Sequence, residues 1–93
     1  MVIGLLSFEI FLPYAQSLKD KRRIMSAFKD RIKGRFNVAV AELDYQDKWQ
    51  RGRFGIVTLN SQKIIVDQVL QKILTEAEQS LGAEITQAEI QYF

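Results

Sequence analysis

Large apolar side chains occupy almost every second position at the start of the chain, namely Val2, Leu6, Phe8, Ile10 and Leu12. The positions between them are mixed, and Gly4 allows either close packing or a bulge. Alternation with a period of two is typical of a β-strand that turns one face toward the core. The pattern therefore predicts a strand over Val2–Leu12, which Pro13 ends.

The spacing then changes to that of an amphipathic helix over Leu18–Lys33. The apolar stripe of this helix consists of Ile24, Met25, Phe28 and Ile32. Ser17 is the expected N-cap, with Asp20 at the third helical position in a weak form of the capping box. Gly34 follows the last turn and is expected to close the helix.

The second half of the chain repeats both periodicities. A broad apolar face predicts a helix over Gln62–Leu81, with Ser61 as its cap and Gly82 at its end. Three further strands are predicted over Phe36–Asp44, Gly52–Leu59 and Glu84–Tyr92. The connection between the first two of these strands is short and polar, so we expect them to pair as an antiparallel hairpin.

The predicted order of elements is β-α-β-β-α-β. Each β-α-β unit crosses over right-handed, which places both helices on one face of a four-stranded antiparallel sheet. The fold class is therefore α+β, in the ferredoxin-like arrangement. A length of 93 residues leaves room for a single domain over residues 1–93. The second face of the sheet is left uncovered.

The composition removes most catalytic chemistry. The chain contains no cysteine and no histidine, which excludes disulfides, thiolate metal sites and the commonest general base. No glycine-rich phosphate loop is present. Glu42 and Asp44 share a strand face near Asp47 and would suit a divalent ion, but a solvated strand end is the favoured interpretation. We expect no enzyme activity, no catalytic residue, no metal and no cofactor.

Targeting features are weak. The apolar start of the chain lacks a preceding basic residue, and Glu9 interrupts it, so a secretory signal is not expected. No run of apolar residues approaches the length of a membrane span. The expected location is the cytoplasm, with no membrane partner.

Charge is distributed unevenly along the chain. The net charge is +2, yet residues 17–35 hold eight basic and two acidic residues. On the predicted helix, the side turned away from the apolar stripe carries Lys19, Arg22, Arg23, Lys29 and Lys33. Such a face binds an anionic partner or only solvates the helix. RNA is the favoured partner over a membrane, because no aromatic residues stand beside the basic ones to enter lipid.

The segment Arg51–Val57 resembles the third strand of RNA-recognition motifs, whose aromatic residues stack on bases. If Phe54 and Ile56 face the helices, the outward residues of this strand offer no ring. Base stacking on the sheet is therefore not expected. Trp49, in the polar loop before this strand, is either a contact residue or a cover for the core.

The uncovered face of the sheet needs its own explanation. Its expected apolar residues are Ile3, Leu5, Phe11, Ala39, Ala41, Val57 and Leu59. An exposed apolar patch commonly marks an interface, and a two-fold interface needs only one self-complementary surface. The face is therefore a candidate homodimer interface, the alternative being moderate hydrophobicity left in solvent.

Three segments carry a resemblance to a known family, namely residues 17–23 (SLKDKRR), 36–44 (FNVAVAELD) and 47–51 (DKWQR). With the leading strand ending in Leu12-Pro13, they resemble the YlxP-like family of small bacterial proteins of unknown function. The resemblance implies a ferredoxin-like fold, a cytoplasmic location and a ribosome-associated role, and it brings no catalytic residues.

The leading hypothesis is a small non-enzymatic protein that binds structured RNA or a ribosomal particle, meaning ribosomal RNA or a ribosomal subunit. The contacts would come from the basic helix face, with Trp49 and Arg51 as further candidates. The alternative is a homodimeric interaction module that acts through the uncovered face of the sheet.

Overall fold

The predicted order of strands and helices is confirmed in a computed structural model, which describes residues 1–93. The elements are β1 (Val2–Phe11), α1 (Leu18–Arg35), β2 (Ala39–Asp44), β3 (Arg51–Asn60), α2 (Lys63–Ser80) and β4 (Glu84–Tyr92). The four strands form one antiparallel sheet in the order β2-β3-β1-β4. This is the ferredoxin-like arrangement that the sequence predicts.

Strand β1 lies at the centre of the sheet and sets its register. Leu6 is opposite Ile56 of β3 on one side and Ile90 of β4 on the other. The even-numbered residues of β1 face both helices, and Leu6, Phe8 and Ile10 are fully buried. The predicted core face of this strand is therefore confirmed.

Aromatic packing joins three elements in the core. The rings of Phe8 from β1, Phe28 from α1 and Phe54 from β3 contact one another, with centroid separations of 5.3–6.4 Å. The Phe8–Phe28 pair is edge-to-face, an arrangement that the aromatic quadrupole favours. The triad ties α1 to the two central strands.

The ends of α1 agree with the sequence at one terminus only. Ser17 is the N-cap, and its Oγ accepts a hydrogen bond of 3.0 Å from the Asp20 N–H. The expectation that Gly34 closes the helix is wrong, because α1 continues to Arg35. Phe36 is the C-cap, and its N–H donates to the Ile32 carbonyl. The strand predicted from Phe36 accordingly begins only at Ala39.

One predicted end of α2 is wrong and the other is confirmed. Ser61 is not its cap, because α2 begins at Lys63 with Gln62 as the N-cap, and no side-chain hydrogen bond caps this terminus. Gly82 does end the helical segment, with a φ of +60° that favours glycine. Neither helix carries an apolar stretch long enough to cross a membrane.

Gly4 allows α2 to approach β1 closely. A Cβ added at Gly4 would lie 2.4 Å from Cγ1 of Val66 and 2.9 Å from Cδ1 of Leu70. Both of those side chains are buried in α2, so they have little freedom to move away. Of the two roles that the sequence allows for Gly4, the structure shows close packing.

Two glycine-to-alanine substitutions should therefore have opposite effects. We expect Gly4→Ala to lower the free energy of unfolding by about 1–3 kcal/mol through overpacking. Gly34→Ala is the matched control: its Cβ would meet nothing within 4 Å, and alanine in a helix should add about 0.5–1 kcal/mol. Urea unfolding of both variants measures the difference. Equal effects at the two sites would contradict the packing argument.

Candidate functional site

The sheet face opposite the helices, called the open face below, divides into two ends. Its apolar end consists of Ile3, Leu5, Ala39, Ala41, Leu43, Gly55, Val57 and Leu59. Its polar end consists of Ser7, Glu9, Phe11, Asp44, Tyr45, Arg51, Arg53, Glu84, Thr86, Gln87 and Glu89. The sequence groups Phe11 with the apolar residues, but six strand positions of about 3.4 Å each separate it from Leu5.

Glu9 is the centre of the polar end. Its side chain is only 8% exposed although it lies on the face without helices. Oε1 accepts a hydrogen bond of 2.8 Å from the Tyr45 hydroxyl. Oε2 accepts bonds from Nη2 of Arg51 at 2.7 Å and from the Thr86 hydroxyl at 3.1 Å. Nη1 of Arg53 lies 4.0 Å from Oε1, so two guanidinium groups share one carboxylate.

This network keeps Glu9 ionised. The hydrogen bond from the Tyr45 hydroxyl is the largest cause that lowers the pKa of Glu9, and the bonds from Arg51 and Thr86 act in the same direction. Burial opposes them but does not prevail. The same hydrogen bond raises the pKa of Tyr45, with burial adding to it, so the hydroxyl stays protonated and remains a donor.

A second buried charge holds the loop that carries Tyr45. Lys21 of α1 is 1% exposed, unlike its basic neighbours in the sequence. Its Nζ donates to the Tyr45 carbonyl and lies 3.2 Å from Oε1 of Glu42. Tyr45 has a φ of +63°, a left-handed conformation that is uncommon for a residue with a side chain. The contact with Lys21 anchors the backbone at this strained position.

Gln50 connects the loop before α1 to the loop before β3, through a set of hydrogen bonds called the Gln50 clamp below. Its Nε2 donates to the carbonyls of Pro13 and Ala15 at 3.2 Å each. Its own carbonyl accepts a bond of 2.8 Å from the Leu12 N–H. The loop before α1 is thus tied to the loop before β3. Trp49 is 50% exposed beside this clamp, so its indole does not cover the core.

The basic residues of α1 fall into three groups. Lys19, Arg22, Arg23 and Lys33 are exposed and Lys29 is half-buried. Among these five, only Arg23 has an ion pair, with Asp20 at 3.3 Å. Arg31 and Arg35 both bind Glu76 of α2. Lys21 is the buried group described above. The first group, apart from the pairing of Arg23, is free to meet a partner.

The two predicted RNA-contacting residues outside α1, Trp49 and Arg51, do not lie on its basic face. Arg51 lies on the open face, whereas α1 packs on the opposite face of the sheet. Trp49 and Arg51 share only one end of the molecule with the start of α1, through the Gln50 clamp. The structure does not join all seven predicted RNA-contacting residues into one flat surface.

The acidic residues near β2 have roles within the fold. Glu42 is paired with Lys21, and Oδ1 of Asp44 accepts a hydrogen bond of 2.7 Å from the Tyr45 N–H. Carboxylates in groups of three or more that could hold a metal ion do not occur. Glu42 is thus paired with a buried lysine of α1 and is not part of a solvated strand end.

Sequence reasoning missed Glu9, Tyr45 and Lys21. One signal was available: Glu9 is the single charge within an otherwise apolar strand, and Arg51 and Arg53 share one face of the facing strand. A charge in such a position requires a partner from a neighbouring strand. No comparable signal marks Tyr45, because its role depends on where its loop folds.

Comparisons with known proteins give one family and one fold. A family model described as a protein of unknown function, DUF503, matches residues 3–90. The uncharacterized protein YlxP of Bacillus subtilis (strain 168) is 37% identical over 73 residues, which cover 78% of this chain and 79% of that protein.

Among solved structures, a de novo designed protein with a ferredoxin fold has a TM-score of 0.56 at 11% identity, covering 100% of this chain and 83% of that chain. SnoaB, a cofactor-independent oxygenase from Streptomyces nogalater, has a TM-score of 0.53 at 9% identity, covering 99% and 90% of the two chains. At such identities the structural likeness shows the fold alone.

The Glu9 network makes stability depend on pH in a stated direction. Because the folded-state pKa of Glu9 lies below its ordinary value of 4.5, its contribution is complete above that value and is lost as the pH falls through the folded-state pKa. Glu9→Gln should therefore destabilise the protein near neutral pH, and the difference from wild type should shrink in acid. Urea unfolding between about pH 7 and pH 3 measures this difference.

The control for this experiment is Glu78→Gln, which changes an exposed carboxylate that has no ion pair. We expect that variant to match wild type across the same range of pH. A difference between Glu9→Gln and wild type that stays constant down to the lowest pH would contradict the role given to the Glu9 carboxylate.

Proposed function

The chain belongs to the DUF503 family of proteins of unknown function, and we propose that it is a non-catalytic protein that binds structured RNA. The binding surface is the free basic face of α1, which consists of Lys19, Arg22, Arg23, Lys29 and Lys33. One observation carries this proposal: four of these five side chains have no carboxylate within ion-pair distance. Asp20 and Asp30 are the only carboxylates of α1, so this face keeps an excess of positive charge for phosphate groups.

The arrangement of these residues suits a phosphate backbone. The basic face of α1 runs from Lys19 to Lys33 and therefore extends over about 21 Å. Lysine and arginine on such a face displace counterions from RNA without reading its sequence. The partner is therefore expected to be recognised by its density of phosphates. Ribosomal RNA, free or within a subunit, is the source that the family resemblance favours.

A charge-matched pair of variants tests this proposal. The combined substitution Arg22→Ala and Lys33→Ala removes two unpaired cations from α1, whereas Lys63→Ala with Lys72→Ala removes the same charge from α2, where Lys63 is paired with Asp67 at 3.7 Å. We expect the first variant to bind an RNA hairpin more weakly and to lower the slope of affinity against salt by about two. Fluorescence anisotropy at several salt concentrations gives both quantities.

Sedimentation of the same proteins with ribosomal subunits through a sucrose gradient extends the test to a particle. Wild type and the α2 variant should travel with a subunit at low salt, and the α1 variant should remain at the top. Equal binding by the two variants would assign the charge on α1 to solvation alone.

A second candidate function is self-association through the apolar end of the open face. Val57 and Leu59 are 36% and 59% exposed there, and Leu5, Leu43 and Val57 line an apolar depression of about 180 Å³. None of the residues of the apolar end is charged, so two copies can meet about a two-fold axis without bringing like charges together. We propose a second copy of this chain as the occupant.

Substitution of Leu59 tests this second candidate. We expect wild type to dimerise as its concentration rises and Leu59→Glu to remain a monomer, because a buried unpaired carboxylate opposes association. Ile64→Glu is the control, since Ile64 is 61% exposed on α2 and lies outside the open face. Sedimentation equilibrium measures the masses. A wild-type protein that stays monomeric at high concentration would rule out the dimer.

A further inference from the structure

Aromatic and guanidinium groups gather at the polar end of the open face. Phe11 contributes a ring from the last position of β1, and Tyr45 contributes one from the loop that folds over Glu9. Trp49 is half exposed at the same end, two residues before Arg51. The strand pattern of β3 contains no outward ring. The rings belong instead to the last residue of β1 and to the loop between β2 and β3. The alternation of residues along β3 does not predict their positions.

The planar guanidinium group of Arg51 is held in place by two contacts. Nη2 bonds Glu9 at 2.7 Å, while the guanidinium carbon lies 5.0 Å from the centroid of the Tyr45 ring. The side chain nevertheless remains 52% exposed. A guanidinium that is stacked on one side and ordered by an ion pair presents its other side without further loss of freedom. Nucleobases stack on arginine planes as well as on aromatic rings.

Phe11 lies directly beside this surface, because its Cα partner in the sheet is Arg51. The Phe11 ring is half-buried and faces the same side as Glu9, two positions earlier in β1. Two neighbouring planar groups on one face thus stand about one strand spacing apart, roughly 5 Å. That spacing suits bases that have left a duplex and lie against the sheet.

A second guanidinium supplies positive charge next to these planes. Arg53 contacts Oγ of Ser7 and Oε1 of Gln87 at 3.3 Å each, and it is only 4.0 Å from Glu9. The Glu9 carboxylate faces both guanidinium groups, and Asp44, Glu84 and Glu89 lie opposite Arg53, Phe11 and Ser7 on the same face. A phosphate between stacked bases would therefore be held by direct contact with the Arg53 guanidinium, not by a net positive charge of this end.

From these contacts we infer that the polar end of the open face binds unpaired nucleotides of RNA. Bases stack on the Arg51 guanidinium and the Phe11 ring, and the phosphate between them meets Arg53. The inference rests on the proposed function in one respect, that the ligand is RNA. It adds a second surface and a second chemistry: α1 holds phosphates of structured RNA, and the open face holds single-stranded nucleotides.

Trp49 is the only tryptophan in the chain, so its fluorescence reports on this end of the molecule. We would titrate the purified protein with a short single-stranded oligouridylate or oligoadenylate, and separately with a blunt duplex of the same length. Single strands should change the Trp49 emission on binding, and the duplex should change it much less.

Two conservative variants separate stacking from charge. Arg51→Lys keeps the positive charge but removes the planar group, and Phe11→Leu keeps apolar volume but removes the ring. Each should weaken single-strand binding about tenfold while leaving duplex binding unchanged. Phe36→Leu, which removes a half-buried ring at the far end of α1, is the control and should leave both unchanged. Thermal unfolding establishes that each variant is folded.

The two proposals fail in different ways. This inference is overturned if Arg51→Lys and Phe11→Leu bind single strands as wild type does, or if single strands leave the Trp49 emission of wild type unchanged. Duplex binding through α1 would still stand. If the α1 variant binds duplex RNA as wild type does, the proposed function is overturned instead. Loss of single-strand binding in the two open-face variants, with duplex binding retained, supports the inference.

Discussion

A charge withdrawn from water must be met by a partner, and this constraint shapes the end of the protein that carries the loop between β2 and β3. Two such charges occur there, the Glu9 carboxylate on the open face and the Lys21 ammonium beneath α1. Tyr45 serves both, since its hydroxyl donates to Glu9 and its carbonyl accepts from Lys21. The left-handed backbone at Tyr45 is the conformation in which one residue makes both contacts. Removal of either Glu9 or Lys21 would leave Tyr45 with only one of the two contacts that hold its loop.

The same constraint explains why the open face has two ends of different character. Around Glu9 the arginines of β3 are drawn inward and ordered, so that end is polar and its guanidinium groups are fixed. Away from Glu9 nothing requires a charge, and the face is made of small and aliphatic residues. Leu43, at a break in the register between β2 and β3, fills the space above Gly55. The two ends can therefore serve different partners without competing for the same residues.

Two of the segments that resemble the family, residues 17–23 and 47–51, meet at this end of the fold, and the third, residues 36–44, reaches it at Asp44. Ser17 begins α1, Lys21 holds the Tyr45 loop, and Gln50 binds the carbonyls that precede α1. These three residues act within the protein, so their place in the motif is explained by architecture. Within those segments, Lys19, Arg22, Trp49 and Arg51 remain available to a partner. Ser17, Lys21 and Gln50 therefore stabilise the fold, and the remaining exposed residues are the ones that a ligand would contact.

The amino-acid sequence alone predicts the order of elements, the core face of β1, the cap at Ser17 and the end of α2 at Gly82. Each of these depends on periodicity or on backbone preference over a few residues, which a single sequence displays. The predicted ends are misplaced by one or two residues, at Gly34 for α1 and at Ser61 for α2, because backbone hydrogen bonding carries α1 on to Arg35 and the N-cap of α2 is Gln62. Tertiary structure alone decided the roles of Glu9, Lys21 and Tyr45. Tyr45 bonds residues 36 and 24 positions away in the chain, and contacts at such separations arise only once the sheet and α1 have brought those residues together.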